Sequence, residues 1–397
     1  MLSKIENKVL SGKRLGEEDA LELFQSDDIF ILGRLASFVA EKKNGKKTYF
    51  VRNRHINPTN ICINRCRFCA FSRSKGQDGA FELTIEEIIE KLKKGSGVRG
   101  QGSEVTKIRS RKSEIKKLQT MNYEQNPPIP PLAKGGKGGF ISEVHIVGGL
   151  HPDWPFEYYL EMISTIKKIF PQLHIKAFTA VEIDHFSKIS GLSLEKTLKT
   201  LRKSGLDSMP GGGAEIFNPE IRNQLCPEKI SDKRWLEVME TAHRAGIRTN
   251  ATMLYGHIEN YNHRVEHLME LRRLQDKTGG FQAFIPLSYH PKNTDIKGGY
   301  TSGIDDLKTI AVSRLVLDNF DHIKAYWIML GEKISQLALL FGADDIDGTI
   351  MEEKITHSAG ALSGEQLTAD QLVHLIRKAE KIPVERDSLY KVLKVHQ

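Results

Sequence analysis

The sequence predicts an α/β protein whose core is a parallel (βα) barrel of the TIM type, complete or nearly complete, preceded by capping helices. Short apolar runs rich in β-branched residues alternate with amphipathic stretches at helical spacing, which is typical of successive right-handed βαβ units. The candidate functional residues come directly after the apolar runs, as they do at the carboxyl ends of barrel strands. The length of 397 residues suits one dominant domain with a large core.

The first part of the chain has helical periodicity. Apolar positions recur at helical spacing between residues 3 and 45 and predict two or three short helices. Residues 1–48 are therefore expected to form a helical cap at one end of the core. A short strand is predicted at 54–57, followed by a loop with three cysteines. Thr84 then provides the N-cap of the first barrel helix.

The pattern of strand and helix repeats along the rest of the chain. Further strands are predicted at 143–147, 174–178, 206–209, 248–254, 281–287 and 322–327. The helices between them are predicted at 156–170, 233–245, 263–277 and 305–320. These repeats assign 49–94 and 140–330 to the barrel, and 331–397 to its completion and to C-terminal helices. A doubly wound sheet is the weaker alternative, because the first strand leads into the cysteine loop rather than a Gly-x-Gly-x-x-Gly turn.

Residues 95–139 interrupt the barrel pattern with a basic segment of low complexity. The segment contains nine Lys or Arg and three Glu, so it carries six of the eight net positive charges of the chain. Its Gly, Ser and Pro content and its lack of an apolar period predict a flexible, solvated insertion. Because it follows a helix and precedes a strand, we expect it on the face opposite the functional loops. A nucleic-acid-binding arm is the alternative, although Tyr123 is its single aromatic residue for base stacking.

Cys62, Cys66 and Cys69 form a Cys-x3-Cys-x2-Cys motif with no fourth ligand nearby. A 4Fe-4S cluster with one open iron needs three thiolates, whereas structural zinc sites and fully ligated clusters usually need four ligands. A zinc knuckle is the alternative interpretation. The remaining cysteine, Cys226, is interpreted as a small buried residue.

The cysteine motif resembles the signature of the radical S-adenosylmethionine (SAM) superfamily, in which an aromatic residue precedes the third cysteine, as Phe68 does here. Residues 50–95 and 140–375 further resemble the aminofutalosine synthase family of the futalosine route to menaquinone. The runs that carry this resemblance are 145–156, 177–183, 210–217, 250–257, 279–286 and 348–357, including Val-Gly-Gly-Leu-His at 147–151 and Pro-Gly-Gly-Gly-Ala-Glu at 210–215. The related dehypoxanthine futalosine cyclases are expected to have Tyr, Leu and Phe at the positions of Ser72, Phe217 and Tyr255, so these residues favour the synthases.

The resemblance implies a set of cofactor-binding residues. The three cysteines would hold a 4Fe-4S cluster whose fourth iron is open to SAM, a co-substrate in this family. The residues that would contact SAM are Phe71, Gly148, Gly149, Glu182, Glu215 and Arg234. The two glycines would let the backbone approach the amino group of SAM because no Cβ intervenes, although a plain turn also explains them. The guanidinium of Arg234 would suit the SAM carboxylate, with an ordinary surface arginine of the helix as the alternative.

The resemblance also implies a reaction. The 5′-deoxyadenosyl radical of SAM would add to the vinyl carbon of 3-[(1-carboxyvinyl)oxy]benzoate, and rearrangement with loss of carbon dioxide would give 6-amino-6-deoxyfutalosine and methionine. A low-potential donor such as flavodoxin or ferredoxin would supply the electron. Four polar residues at strand ends are expected to face the substrate, with a structural hydrogen-bonding role as the alternative for each histidine: His151, Tyr255, His257 and His290.

Two other functions remain open at this point. A cyclase of the same superfamily would use the radical to abstract hydrogen, and a metal-bearing nucleic-acid-binding protein would use the basic segment. We expect neither a nucleic acid nor a membrane as partner. No apolar run approaches the roughly 18 residues of a membrane span, and the first residues lack the apolar region of a signal peptide. With its three clustered cysteines, the chain is therefore expected in the reducing cytoplasm.

Overall fold

The computed structural model describes residues 2–96, 141–296 and 300–396. Its helices are α1 (Leu2–Leu10), α2 (Glu17–Gln25), α3 (Ile29–Asn44), α4 (Ile85–Ser96), α5 (Phe156–Ile169), α6 (Ala180–Ser190), α7 (Leu194–Ser204), α8 (Pro219–Leu225), α9 (Asp232–Arg244), α10 (Tyr261–Thr278), α11 (Gly303–Val316), α12 (Trp327–Ala338), α13 (Ile355–Ser358) and α14 (Ala369–Lys378). Its strands are β1 (Lys47–Val51), β2 (Asn53–Ile56), β3 (Glu143–Ile146), β4 (His174–Ala177), β5 (Ser208–Met209), β6 (Arg248–Tyr255), β7 (Phe281–Ser288), β8 (His322–Ile323), β9 (Asp345–Gly348), β10 (Ile382–Arg386) and β11 (Val392–Val395). The predicted insertion at 95–139 lies, beyond Ser96, outside the described residues.

Seven strands form one parallel sheet in the order β2, β3, β4, β5, β6, β7, β8. Sequential neighbours pair in register, for example His55 with His145 and His145 with Lys176. Helices connect most of these strands, as right-handed βαβ units require. The predicted parallel (βα) fold is therefore confirmed.

A second sheet brings the two edges of the seven-stranded sheet together. It has four strands in the order β11, β10, β1, β9. Strand β9 pairs with β1 through Tyr49 and Asp345 and forms a parallel bridge with Lys324 just beyond β8. Because β1 continues almost directly into β2, strand β9 completes the ring of strands. The C-terminal part of the chain thus contributes to barrel closure.

The three N-terminal helices extend the outer helical layer. Helix α2 packs against α10 and α11, and α3 packs mainly against α11. The ring of Phe24 stacks on Tyr261 with centroids 5.0 Å apart, at the start of α10. The guanidinium of Arg14 binds Asp276 near the other end of the same helix, at 2.6 Å. These helices therefore run along the outside of the barrel. The predicted cap across one end of the core is wrong in this respect.

The carboxyl ends of the strands carry the loops that form the site. Helix α6, for example, begins with a capping box in which Thr179 accepts a hydrogen bond from the backbone of Glu182, whose side chain accepts one from the backbone of Thr179. This arrangement turns the Glu182 side chain back toward the strand ends. No helix in the described ranges is both long and apolar enough to cross a bilayer.

Candidate active site

A cavity of about 330 Å3 opens inside the barrel at the carboxyl ends of the strands. One wall is the cysteine loop, with Cys62, Cys66 and Cys69. The middle is largely apolar and is lined by Phe71, Val147, Leu254, Ile285, Leu287 and Met329. The deep end is polar, with side chains from the strands themselves: His55, Glu143, His145, Lys176, Lys324 and Asp347. The position agrees with the rule that barrel enzymes carry their chemistry at this face.

The cysteine loop is held by backbone hydrogen bonds to three other segments. The amide of Cys62 donates to the carbonyl of Arg73 at 3.1 Å, and that of Ile63 donates to Leu150 at 2.9 Å. The amide of Arg67 donates to Leu225, at the end of α8, at 2.9 Å. These bonds fix the orientation of the loop relative to the barrel.

The three cysteine thiols are free and partly exposed. Burial raises the pKa of Cys62. A hydrogen bond with the buried Cys226, together with burial, raises the pKa of Cys66. Binding of iron would therefore have to supply the free energy that deprotonates these thiols.

The three thiols are the donor set that an iron–sulfur cluster with one open iron requires. Three thiols line one wall of the cavity, and the structure places Cys226 in the apolar core, as the sequence analysis expects. Within residues 2–96, 141–296 and 300–396, no three His, Cys, Asp or Glu side chains are grouped around a point suited to a single metal ion. The thiolates of a cluster each bind a different iron, so they need not converge on one point.

Gly148 and Gly149 line the cavity, but their lack of a side chain serves the packing of the cysteine loop. A Cβ at position 149 would lie 2.2 Å from the carbonyl oxygen of Ile61, and one at position 148 would lie 3.1 Å from that of Thr59. The amide of Gly149 donates to Thr59 at 3.0 Å. The glycines therefore allow β3 and the loop to approach each other closely.

The carboxylate of Glu182 lies beside Gly148 in the cavity wall. It accepts hydrogen bonds from the amide of Gly148 at 3.2 Å and from the amide and hydroxyl of Thr179 at 2.7 and 2.9 Å. Burial raises the pKa of Glu182 to about 7, although these donors oppose the shift. The side chain can therefore exchange a proton near neutral pH.

Glu215 forms an ion pair with Lys229, a residue that no sequence motif indicates. The two side chains are 2.5 Å apart and nearly buried in the cavity wall. The ammonium of Lys229 also lies 4.9 Å from the centroid of Phe68, next to the third cysteine. Burial alone would lower the pKa of Lys229, but the neighbouring Cys66 and Glu215 raise it above its usual range. Lys229 stands in a turn between helices, where no spacing rule indicates its role.

Arg234 is not among the residues that line the cavity. Its Nε donates to Asp184 at 2.7 Å and a terminal nitrogen donates to Glu237 at 2.8 Å. The side chain joins the start of α9 to α6 on the outside of the barrel. The structure thus provides Lys229, rather than Arg234, as the cation beside the cysteines.

Of the four residues expected to face the substrate, the structure brings His290 alone to the cavity. Its Nε2 is 2.9 Å from the carbonyl of Met329, and its Nδ1 is enclosed without a partner among the described residues. The other three serve local structure. His151 contacts Glu82 at 2.6 Å, Tyr255 donates to Asp306 at 2.8 Å, and His257 lies 2.9 Å from Glu259.

The polar deep end was not predicted from the sequence. Lys176 donates to Glu143 at 2.7 Å, and Lys324 donates to Asp347 at 2.9 Å. Burial alone would raise the pKa of Glu143, but the two lysines hold it well below its usual range, so the carboxylate is ionised. One sequence feature could have predicted it: polar residues stand at inward positions of otherwise apolar strands, as His145 does in the run Glu-Val-His-Ile-Val.

Two family profiles match this chain. The profile described as "Radical SAM superfamily" matches residues 132–271, and the one described as "CofH/MqnC C-terminal region" matches 278–397. The aminodeoxyfutalosine synthase of Thermus thermophilus is 42% identical over 399 residues, covering 99% of this chain and 96% of the relative. That of Streptomyces coelicolor is 40% identical over 406 residues, covering 99% and 94%.

A differently named protein is also similar over nearly the whole chain. The 5-amino-6-(D-ribitylamino)uracil–L-tyrosine 4-hydroxyphenyl transferase of Methanococcoides burtonii is 37% identical over 386 residues, covering 95% of this chain and 96% of that protein. Among solved structures, methylornithine synthase (PylB) superposes with a TM-score of 0.69 at 17% identity, covering 96% and 97% of the two chains. This likeness concerns the fold. At 42% identity over its full length, the chain belongs to the radical SAM enzymes, in the family that contains the aminodeoxyfutalosine synthases.

Proposed function

We propose that the enzyme transfers the 5′-deoxyadenosyl group of SAM to 3-[(1-carboxyvinyl)oxy]benzoate, with loss of carbon dioxide, to form 6-amino-6-deoxyfutalosine and methionine. The observation that carries this proposal is the single cavity that joins three cysteine thiols to an apolar chamber with a polar deep end. Such a cavity suits an aromatic substrate with a carboxylate at each end. The similarity to aminodeoxyfutalosine synthases supports the same substrate.

Cys62, Cys66 and Cys69 are the proposed ligands of a 4Fe-4S cluster. When bound, the cluster supplies the electron that cleaves SAM into methionine and the 5′-deoxyadenosyl radical. The protein loop holds the three thiols at one wall through its backbone hydrogen bonds. The electron would come from a low-potential donor such as a flavodoxin or ferredoxin.

The ion pair of Glu215 and Lys229 is the proposed contact for the amino-acid end of SAM. An ammonium and a carboxylate side by side complement the carboxylate and ammonium of a zwitterion. The pair lies beside Cys66 and Phe68, at the cysteine wall of the cavity. Glu182 and the backbone of Gly148 and Gly149 lie on the same side of the chamber and are proposed to contact the rest of SAM.

The apolar middle of the cavity excludes water from the reacting carbons. Val147, Leu254 and Leu287 provide aliphatic walls, and Phe71 adds an aromatic face. A reactive primary radical needs this protection, because contact with unintended hydrogen donors would quench it. Ser72 also lines the chamber, whereas Phe217 and Tyr255, the other residues that favour the synthases over the cyclases, lie in the core.

The fate of the deoxyadenosyl group tests the proposal. Purified enzyme with a reconstituted cluster, a reductant, SAM and the enolpyruvyl benzoate is expected to yield an adenosine-containing adduct, detected by mass spectrometry. Formation of free 5′-deoxyadenosine as the sole nucleoside product would contradict the proposed function. If dehypoxanthine futalosine were then cyclised in step with 5′-deoxyadenosine, the cyclase activity would replace it.

A further inference from the structure

The deep end of the cavity holds a row of three basic side chains. His55 on β2, His145 on β3 and Lys176 on β4 are direct cross-strand neighbours in the parallel register. All three line the cavity, and the rings of His55 and His145 are in contact, with centroids 4.5 Å apart. Side chains at one level of a parallel sheet point to the same face, so the row forms a continuous surface across three strands.

The two histidines have hydrogen-bonding capacity that the protein does not use. The Nε2 atoms of His55 and His145 are enclosed and have no partner among the described residues. The whole side chain of His55 is buried, with 7% exposure. Enclosed polar atoms without a partner are costly, and a ligand or an ordered water usually satisfies them.

The charged groups around the row are paired with one another, so the donors left for an anion are the two neutral rings. The acidic groups near the two rings are Glu143, Asp347 and Glu353, and the nearby basic group is Lys176. Lys324 lies close to Glu143. Lys176 is paired with Glu143, Lys324 with Asp347, and Glu353 with His357 at 3.1 Å. Burial lowers the pKa of His55 and, more strongly, that of His145, so both rings are neutral near pH 7. Each neutral ring has one N–H to donate.

We propose that His55, His145 and Lys176 form a carboxylate-binding subsite, in which the two imidazoles donate hydrogen bonds to one carboxylate and the lysine ammonium lies beside it. The identity of this carboxylate rests on the proposed function. The vinyl carbon must lie near the cysteine wall, so the ring carboxylate, at the other end of the molecule, points toward the deep end. Val147, one residue past the end of β3, lines the apolar space between, where the aromatic ring fits.

This placement also means that the subsite binds the carboxylate that is kept in the product and not the one that is lost. The enolpyruvyl carboxylate leaves as neutral carbon dioxide, so a tight ion pair would stabilise it in the ground state and oppose its loss. The ring carboxylate is retained in the product and can be bound tightly throughout. The subsite therefore fixes the substrate by the group that does not react.

A binding comparison with two unreactive ligands tests the subsite. The first is 3-(carboxymethoxy)benzoate, an analogue of the substrate without its vinyl methylene carbon, and the second is phenoxyacetate, which also lacks the ring carboxylate. Dissociation constants are measured by isothermal titration calorimetry with the cluster-loaded enzyme in the presence of SAM. We expect the wild-type enzyme to bind the dicarboxylate roughly 10- to 100-fold more tightly, as charge-assisted hydrogen bonds allow.

Variants of the two histidines then test whether the row causes the tighter binding of the dicarboxylate. His55→Phe and His145→Phe keep a ring of similar size and are each expected to lose most of the preference, while His145→Asn, which retains a donor, recovers part of it. The matched control is His267→Phe, because His267 is also buried with an unpartnered nitrogen but lies outside the cavity, stacked on Phe217. Iron content and circular dichroism check that each variant is folded.

The outcomes separate the subsite from the proposed reaction. A wild-type enzyme without preference for the dicarboxylate, or a preference that survives in both Phe variants, would overturn the subsite. An enzyme that forms no adenosyl adduct would instead contradict the proposed reaction. The binding comparison uses no turnover, so it decides the subsite in either case.

Discussion

At the residue scale, the cysteines divide into three proposed ligands and one core residue. Cys226 is buried, at 1% exposure, and its thiol is hydrogen-bonded to Cys66. Replacing Cys66 by Ala is therefore expected to abolish the iron–sulfur absorption and all turnover. Cys226→Ala, the matched control, should keep both and lose roughly 1 kcal/mol of unfolding free energy for the removed sulfur.

Iron analysis and chemical denaturation of the two variants check this prediction. About four irons per chain are expected in the wild type and in Cys226→Ala. Loss of the cluster in Cys226→Ala to the same degree as in Cys66→Ala would make Cys226 a ligand and would refute the three-thiolate site.

Glu182 should make the stability of the protein depend on pH. Burial raises its pKa from 4.5 to about 7 in the folded protein, so the folded state holds a proton that the unfolded state releases. The contribution is fully present below pH 4.5 and is lost as the pH rises through about 7. Relative to Glu182→Gln, the wild type should lose roughly 3 kcal/mol of unfolding free energy across this range.

Urea denaturation of both proteins at several pH values between 4.5 and 8 measures the difference. The substitution itself is expected to destabilise the fold at low pH, because an amide cannot accept all the hydrogen bonds that Gly148 and Thr179 donate. The informative quantity is therefore the change with pH. Parallel curves for the two proteins would show that Glu182 does not titrate in this range.

Some residues of the site could be predicted from the sequence and others could not. The three cysteines and His290 were proposed from their spacing or from their position after a strand, and all four line the cavity. His151 and His257 have the same kind of position, but their rings face nearby backbone and carboxylate groups. The direction of a side chain after a strand depends on the loop, which the sequence pattern does not specify. Lys229 and His55 reach the site from segments without any motif.

At the scale of elements, the amphipathic helices were predictable and one sheet was not. Helices α5, α9, α10 and α11 start within two residues of their predicted positions, because apolar residues recur at helical spacing in each of them. Strands β9 and β10 were not predicted, because a buried charged residue interrupts the apolar pattern of each strand. These residues are Asp345 and Arg386. The two side chains form an ion pair, which cannot be predicted from residues so far apart in the sequence.

The close approach of β3 and the cysteine loop gives a prediction for Gly149. Gly149→Ala would place a Cβ 2.2 Å from the Ile61 carbonyl oxygen, so the loop that carries Cys62 must move. We expect the variant to lose most of its iron and roughly 1–3 kcal/mol of unfolding free energy. Iron content per folded chain, with unfolding followed by circular dichroism, measures both effects.

Gly148→Ala is the matched control for this clash. Its Cβ would lie 3.1 Å from the Thr59 carbonyl oxygen, a contact that a shift of a few tenths of an ångström relieves. The variant should therefore retain its iron. Neither glycine has a positive φ, so strain of the backbone does not enter the comparison. Equal iron contents in the two alanine variants would show that loop packing does not govern the site.

At the scale of the whole molecule, the barrel is closed by segments from both ends of the chain. Strand β1 comes before the cysteine loop, and β9 and β10 come after the seven-stranded sheet. Asp345 on β9 accepts a hydrogen bond from Nε of Arg386 on β10 at 2.8 Å, and neither side chain is exposed. The same guanidinium lies 4.1 Å from the ring centroid of Tyr390. This buried ion pair ties the C-terminal sheet to the barrel.

Removing one partner of that pair should destabilise the whole fold. Arg386→Met preserves much of the side-chain volume but leaves the Asp345 carboxylate buried without its cation, and we expect a loss of roughly 3–5 kcal/mol of unfolding free energy. Arg244→Met, which breaks an exposed pair with Glu240, should change the free energy of unfolding by less than about 0.5 kcal/mol.

Adding Asp345→Asn to Arg386→Met removes the unpaired buried charge, so the double variant should recover part of the loss. Chemical denaturation measures all three, and equal effects of Arg386→Met and Arg244→Met would refute the proposed role of the buried pair in closing the barrel.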